Sequence, residues 1–133
     1  MNESQIIRRT RDNKSRDNGF SLVELLVVVL IIGILSAIAI PLFLGQQAQA
    51  KDAAAKSDLA NAKVAMISYA LSNSGVYATT TAQIVPFGFV QTAGVTVTIK
   101  ANPTTLFCVS AVSGTGNVFR VSDTSEVVAG ACP

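Results

Sequence analysis

The longest hydrophobic segment of the chain lies near its start, from Phe20 to Leu44. Glu24 is the one charged residue in it, and the 20 residues that follow, 25–44, are uncharged. A helix of that length is about 30 Å long, which matches the hydrocarbon core of a bilayer. The segment is therefore predicted to be a single membrane-spanning helix.

After Leu44 the sequence becomes Ala-rich with scattered charges, and its helix propensity stays high. Apolar residues recur at the spacing of one helix face, namely Ala55, Leu59, Ala62, Met66 and Ala70, with Tyr69 beside them. This row predicts that the helix continues as an amphipathic half. We expect one helix from Phe20 to about Ser72, ended by the turn signal Asn73-Ser74-Gly75.

The last third of the chain alternates between apolar and polar residues. Residues 74–94, rich in Thr and interrupted by Pro86, predict an irregular surface connection. Four short alternating segments follow between turn signals, at residues 95–100, 106–112, 117–122 and 126–129. They predict an antiparallel β-meander over 95–133, covered on its apolar face by the amphipathic helix half. The expected fold class is α+β, a long N-terminal helix packed against a small antiparallel sheet.

Charge divides the chain into a hydrophilic leader, residues 1–19, an apolar helix half, residues 20–47, and a globular part, residues 48–133. The leader contains five basic residues, Arg8, Arg9, Arg11, Lys14 and Arg16, against three acidic ones, so it accounts for the net charge of +2. This distribution predicts a cytoplasmic N-terminus and an exported globular part. Because no basic excess remains beyond the leader, nucleic acid is not an expected partner.

The two cysteines, Cys108 and Cys132, both lie in the part predicted to be exported, where disulfides form and persist. We predict one disulfide bond between them. Two unpaired buried thiols are the alternative.

The composition excludes several kinds of catalytic and metal site. The chain contains no His, which excludes a His-based metal site and a Ser-His-Asp arrangement. The carboxylates Asp52, Asp58, Asp123 and Glu126 are scattered, and we expect solvated charges there rather than a calcium site at Asp123 and Glu126. No Gly-x4-Gly-Lys motif is present, so an ATPase acting on this protein would be another chain. We expect no cofactor, no metal and no enzymatic activity.

Two other export signals compete for the N-terminal segment. Arg8-Arg9 suggests a twin-arginine signal, but it stands well ahead of the apolar run. Ala48-Gln49-Ala50 suggests the cleavage site of a secretory signal peptide, whose apolar region is only about 7–15 residues long. The apolar run here is longer and contains Glu24, so neither signal is favoured.

A more specific pattern lies at the junction of leader and helix. The residues there are Gly19-Phe20-Ser21-Leu22-Val23-Glu24, followed by an apolar run to Pro41. This resembles the type IV pilin family, whose precursors have a class III signal: a leader ending in Gly, a Phe that becomes the new N-terminus, a Glu at the fifth mature position and a Pro at the twenty-second. Gly19, Phe20, Glu24 and Pro41 fit these four positions. The resemblance implies cleavage after Gly19 by a prepilin peptidase and methylation of the Phe20 amine.

Glu24 needs a partner, because a carboxylate at membrane depth costs about 2.5–3.5 kcal/mol even on permissive insertion scales. Cleavage after Gly19 would free the amine of Phe20 one helical turn away. In pilins the same pairing between subunits is thought to guide assembly, which makes Phe20 and Glu24 the expected assembly residues. The alternative is that Glu24 lies close enough to the end of the span to reach interfacial water.

Gly33 and Pro41 are predicted to weaken the apolar helix. Pro41 lacks an N–H and its ring clashes with the carbonyl of Ala37, so the helix should bend or lose hydrogen bonds there. The resemblance to pilins implies that residues 33–41 can unwind in a filament, whereas a simple proline kink is the alternative.

The function that the resemblance implies is structural. We expect the major pilin of a type IV pilus, a homopolymer that serves adhesion, motility or DNA uptake. The expected partners are copies of itself, a prepilin peptidase, an inner-membrane assembly platform and a cytoplasmic ATPase. The chain would be a single-pass membrane precursor first and an extracellular filament afterwards. Alternatives are a pseudopilin of a type II secretion system, a competence pilin, or a monomeric membrane-anchored binding domain.

Overall fold

The computed structural model describes residues 19–102 and 106–133, so most of the leader, residues 1–18, and part of one predicted turn, residues 103–105, lie outside the described residues. The elements are α1 (Leu22–Ser72), α2 (Thr81–Ile84), a 3₁₀ turn (Val85–Phe87), β1 (Thr96–Asn102), β2 (Leu106–Val112), β3 (Val118–Ser122) and β4 (Val128–Ala129). The chain divides into two compact units, one that ends at Ile38 and one formed by Ala39–Pro133. The predicted α+β class, a long helix with a small antiparallel sheet, is confirmed.

Helix α1 ends at the predicted turn signal. The N–H of Gly75 donates to the carbonyl oxygen of Ala70 at 2.8 Å, and Gly75 has a φ of 84°. A left-handed residue that returns its N–H to the last turn is a common helix C-terminus, and glycine adopts it without steric cost. The local sequence therefore determines where α1 stops.

Helix α1 is uninterrupted at Gly33 and at Pro41. The predicted loss of hydrogen bonds near Pro41 does not end the helix, because a proline removes one N–H while the neighbouring residues keep their own bonds. Unwinding of residues 33–41 in a filament stays a prediction.

The sheet is a meander with strand order β1-β2-β3-β4, and all neighbouring pairs are antiparallel. Val109 of β2 pairs with Ile99 of β1 and with Val121 of β3. Strand β2 has its predicted bounds, whereas β4 is shorter than predicted. The backbone N–H and the hydroxyl of Ser125 bond to Ser122, so these residues form the turn that precedes β4 instead of extending the strand.

The hydrophobic core lies between the second half of α1 and one face of the sheet. From α1 it contains the predicted row together with Ala65, and from the strands it contains Val97, Phe107, Val109, Ala111, Phe119 and Val121. Buried and less buried residues alternate along β2 and β3, because successive side chains of a strand point to opposite faces.

The prediction of an irregular surface connection over 74–94 is wrong for its middle part. Residues 81–87 form α2 and the 3₁₀ turn, and Ala78, Ile84 and Phe89 are buried in the core. The Oε1 atom of Gln83 accepts hydrogen bonds from the backbone N–H groups of Thr79 and Thr80, which orders the start of α2. The segment folds because its apolar side chains are buried in the core together with those of α1 and the sheet.

The C-terminal tail crosses the face of the sheet that points away from the core. Cys108 and Cys132 form a disulfide bond, with their Cα atoms 5.8 Å apart. Cys108 lies between the buried residues Phe107 and Val109, so its side chain points to the opposite face. On the same side Arg120 donates to the carbonyl oxygen of Ala131 at 2.7 Å, and Lys100 donates to that of Pro133.

Asp58 is the charged side chain that joins α1 to the segment before β1. It is 2% exposed, and its two carboxylate oxygens accept hydrogen bonds from the backbone N–H and the hydroxyl of Thr92 at 2.8 and 2.7 Å. A buried carboxylate is tolerated when charge-assisted hydrogen bonds satisfy it. The expectation that Asp58 is a solvated charge is therefore wrong.

Asp52 makes a second connection, to the turn between β2 and β3. Its Oδ1 accepts from the hydroxyls of Ser113 and Thr115 at 2.6 and 2.5 Å, and its Oδ2 accepts from the amide of Asn117 at 2.7 Å. These hydrogen bonds, with a smaller contribution from the charge of Lys56, hold the pKa of Asp52 below its ordinary value. Asp52 is thus also a structural contact rather than a free surface charge.

Two lysines of α1 contact the sheet region as well. The Nζ atom of Lys56 lies 4.8 Å from the ring centroid of Phe119, and that of Lys63 donates to the carbonyl oxygen of Ser125 at 2.9 Å. Charged residues on both sides of the buried row therefore hold the sheet on the helix.

Replacing Asp58 with Ala should lower the free energy of unfolding by about 2–3 kcal/mol, because both charge-assisted hydrogen bonds from Thr92 to this buried carboxylate are lost. Thr92→Val, which removes the hydroxyl donor alone, should cost about half as much. Thermal unfolding of the full chain in detergent, followed by tyrosine fluorescence, measures both. The exposed Glu126→Ala is the control, and an equal effect at positions 58 and 126 would contradict the assignment.

The connection made by Asp52 should depend on pH. Because the pKa of Asp52 is lower in the folded protein, its contribution is complete above the unfolded pKa, about 4, and is lost as the pH falls through the lower folded value. The difference in melting temperature between the wild type and Asp52→Asn should therefore be largest near neutral pH and shrink below about pH 4. Asp123→Asn, in the turn before β4, serves as the control, and a difference that stays constant to pH 2 would refute the prediction.

Candidate processing and assembly site

The candidate site lies where the leader meets α1. Helix α1 begins at Leu22, so Ser21 occupies the N-cap and Glu24 the third helical position. The backbone N–H of Glu24 donates to Oγ of Ser21 at 3.1 Å, and the backbone N–H of Ser21 donates to Oε2 of Glu24 at 3.0 Å. The two residues form a reciprocal capping box.

The capping box provides the Glu24 carboxylate with a local donor in the uncleaved chain. The carboxylate also lies at the positive end of the helix dipole, which favours an anion. Ser21 was not among the predicted site residues, although its signal was present as the Ser-x-x-Glu pattern directly before an apolar run.

The predicted cleavage point, the peptide bond between Gly19 and Phe20, precedes the helix and is exposed. The Phe20 side chain is 88% exposed. Among the described residues, no atom lies within 4 Å of a Cβ added at Gly19, so this part of the fold does not require a glycine there.

The apolar half of α1 presents its side chains outward. From Leu22 to Leu44 all residues are exposed except the half-buried Ser36. Within residues 19–102 and 106–133, α1 is the helix that is long and apolar enough to span a bilayer. So much exposed apolar surface needs cover from lipid or from another protein.

Apart from Cys108 and Cys132, which form the disulfide bond, the predicted site residues fall into two groups. Gly19, Phe20 and Glu24 lie together at the start of α1, whereas Gly33 and Pro41 lie further along it. Within the part of the chain that the structure describes, no three His, Cys, Asp or Glu side chains form a group that could hold a metal ion.

An open cleft of about 590 Å³ lies at the end of the sheet near the disulfide and includes Lys100, Arg120 and Phe107 in its lining. Its two cationic side chains donate to carbonyl oxygens of the C-terminal tail. The cleft therefore forms part of the attachment of the tail.

Replacing Ser21 with Ala should loosen the first turn of α1, because loss of an N-cap costs about 0.5–2 kcal/mol. Amide hydrogen exchange of the full chain in lipid nanodiscs should show faster exchange at Val23 and Glu24, whereas Ser21→Thr should restore protection. Ser36→Ala, in the same helix, is the matched control. Unchanged exchange in Ser21→Ala would contradict the role of the capping box.

Comparison with known protein families places the clearest similarity at the junction of leader and helix. Residues 14–40 match the model of the prokaryotic N-terminal methylation motif. This range contains the predicted cleavage point, Glu24 and Gly33.

Curated relatives come from two kinds of assembly. The chain is 57% identical to the type IV major pilin protein PilA of Myxococcus xanthus over 44 residues, which are 33% of this chain and 20% of that protein. It is 38% identical to the type II secretion system core protein G of Pseudomonas aeruginosa over 60 residues, 45% of this chain and 42% of the relative. The core protein G of Vibrio cholerae is 40% identical over 65 residues, 49% of this chain and 44% of the relative. The chain thus covers less than half the length of each of these relatives.

Proposed function

Because this chain belongs to the type IV pilin superfamily by its prepilin motif and its similarity to a pilin and to pseudopilins, we propose that it is the major subunit of a type IV pilus. Members of the superfamily are structural subunits, not enzymes. The proposed function is therefore that of the polymer, a surface filament for adhesion, motility or DNA uptake.

The observation that carries this proposal is the exposed apolar half of α1. Lipid covers this surface while the precursor spans the membrane, but a filament outside the membrane has no lipid. In a homopolymer, the apolar helices of neighbouring copies cover this surface instead. Residues 20–47 then form the core of the filament, and residues 48–133 face outward.

Processing converts the start of α1 into an assembly contact. The precursor has a cytoplasmic N-terminus, and a prepilin peptidase cleaves after Gly19 and methylates the new amine of Phe20. Methylation preserves the positive charge of the amine. The Glu24 carboxylate, bonded to Ser21 in the precursor, then pairs with the Phe20 amine of a neighbouring subunit. An assembly platform in the inner membrane and a cytoplasmic ATPase are the further partners of this proposal.

The second candidate function is that of a pseudopilin in a type II secretion system. It is favoured by the core G proteins, whose alignments with this chain run over 59–65 residues, against 44 residues for the Myxococcus pilin. A competence pilin, which would polymerise through the same kind of helix, is a further alternative. Imaging separates the candidates, since a major pilin forms long surface fibres that contain this chain and a pseudopilin forms a short fibre within the cell envelope.

Mass spectrometry of the polymerised protein tests the processing step. The expected N-terminus is Phe20 carrying one methyl group on its amine, because prepilin cleavage leaves that residue first. A chain that begins at Met1 or Lys51 in the polymer would refute the proposal.

Replacing Glu24 with Ala should lower incorporation into fibres at least about tenfold, the effect of losing about 1.4 kcal/mol at a subunit contact. Quantitative immunoblotting of sheared fibres and of membranes measures incorporation, and the membrane level of the precursor should not fall. Ser21→Ala is the matched control, because it removes the capping box but retains the acid. If both variants assemble like the wild type, the chain is a membrane-anchored monomer or a polymer with a different contact.

A further inference from the structure

An open groove of about 500 Å³ lies beside the second half of α1, and we name it the Lys51 groove. Its α1 side consists of residues spaced as one helix face, Gln47, Ala50, Lys51 and Ala54. The rest of its lining comes from residues 92–95, directly before β1, and from Gly114, in the turn between β2 and β3. Its volume is in the range of small-molecule sites, about 300–1,000 Å³.

Of the described residues that line the groove, Lys51 is the one with a charge. The next two lysines of α1, Lys56 and Lys63, contact the sheet region. In the part of the chain that the structure describes, no hydrogen bond or ion pair holds the ammonium group of Lys51. The carboxylates of Asp52 and Asp58 are bonded to hydroxyl, amide and backbone donors instead. The charge of Lys51 therefore remains available for an anionic ligand.

Gly114 leaves room for the carbon stem of Lys51. A Cβ added at Gly114 would lie 3.3 Å from Cδ of Lys51 and 3.5 Å from the carbonyl oxygen of Gly94. Gly114 is not among the glycines with a positive φ, so its backbone conformation does not require a glycine. The close approach of the lysine stem is the contact that a larger residue would disturb, and it places this stem along the wall of the groove.

The groove begins just beyond the stretch predicted to span the membrane. Residues 39–44, the last part of that stretch, belong to the same compact unit as the groove. Along the helix, Gln47 lies about 5 Å and Lys51 about 10 Å past Leu44, and the headgroup region of a bilayer is about 5–8 Å thick on each side. Helical side chains lean toward the N-terminus of their helix, and a lysine extends its stem to place its charge. When residues 22–44 span the bilayer, Lys51 is therefore within reach of the lipid phosphates.

We propose that the Lys51 groove binds the headgroup of an anionic phospholipid while the chain is in the membrane. Lys51 supplies the positive charge for the phosphodiester, and the side-chain amide of Gln47, one turn closer to the membrane, supplies a hydrogen-bond donor. The alanines and Val95 in the lining suit the apolar carbon atoms next to the phosphodiester, which a free phosphate ion lacks. This inference rests on the membrane stage of the proposed function and adds a ligand to it. The bound lipid holds the sheet region at the bilayer surface until the subunit leaves the membrane.

Native mass spectrometry of the full chain, released from detergent micelles, tests the ligand. Phosphatidylglycerol should bind at least about fivefold more tightly than phosphatidylcholine, whose headgroup has no net charge, since a lysine at an anionic surface contributes about 1 kcal/mol. Lys51→Gln should abolish this preference, and Lys51→Arg should retain it.

Lys56→Gln is the matched control, because it removes the same charge further along α1 and should retain the preference. Equal binding of the two lipids by the wild type would overturn the inference, as would an equal loss in Lys56→Gln and Lys51→Gln. Displacement of the lipid by excess inorganic phosphate would also overturn it, because the groove would then be a site for a free anion.

Photocrosslinking of the full chain in nanodiscs that contain phosphatidylglycerol tests the place of binding. A benzophenone amino acid at Ala93, which is exposed in the groove but lies outside α1, should crosslink to lipid. The same probe at the exposed Thr124 should not, because the neighbouring Ser125 contacts Lys63, which lies about 18 Å further along α1 than Lys51.

The outcomes separate this inference from the proposed function. A probe at position 93 that crosslinks to protein alone, or to nothing, would refute the lipid site and leave the proposed function intact. A wild-type chain that sodium carbonate extracts from cell membranes does not span them, which would refute both.

Discussion

The apolar surface in the first half of α1 is exposed, so it must be covered by lipid or by another protein. No residue from Leu22 to Leu44 is buried by the described chain, and the one acid in this stretch lies at its start. Such a surface is stable in lipid or against other apolar helices, and in water it would drive association. In the proposed function, lipid covers this surface while the chain is in the membrane, and neighbouring copies of the chain cover it in the polymer.

Polar contacts add to the hydrophobic core in holding the sheet region on the second half of α1. The α1 side of the core consists largely of alanines, which bury little apolar area each. Asp58 and Asp52 add charge-assisted hydrogen bonds to the segment before β1 and to the turn after β2. These contacts explain why the charged residues in the second half of α1 lie on the side of the helix that faces the sheet region.

Glu24 has a part in both stages of the proposed assembly. In the precursor it closes a capping box with Ser21, so its carboxylate has a donor at the start of the helix. In the proposed filament it exchanges this donor for the amine of a neighbouring Phe20. The local bond can be replaced, because it contributes only about 1.5–3 kcal/mol and a charged amine is a stronger partner for the carboxylate than a backbone N–H.

Much of the fold could be predicted from local pattern. The length of the apolar stretch, the buried row from Ala55 to Ala70, the stop at Gly75 and the strand alternation each depend on residues close together in sequence. The ordered segment 81–87 was missed because Ile84 and Phe89 become core residues only through contacts with residues that are distant in the sequence.

The apolar helix, the acid at its start and the predicted processing motif can all be predicted from sequence, because each depends on neighbouring residues. The roles of Asp52 and Asp58 follow only from the folded chain, because their partners lie more than 30 residues away, at Thr92 and in the turn from Ser113 to Asn117. Which face of an Ala-rich helix stays exposed depends on where the sheet packs, and that is set by contacts distant in the chain.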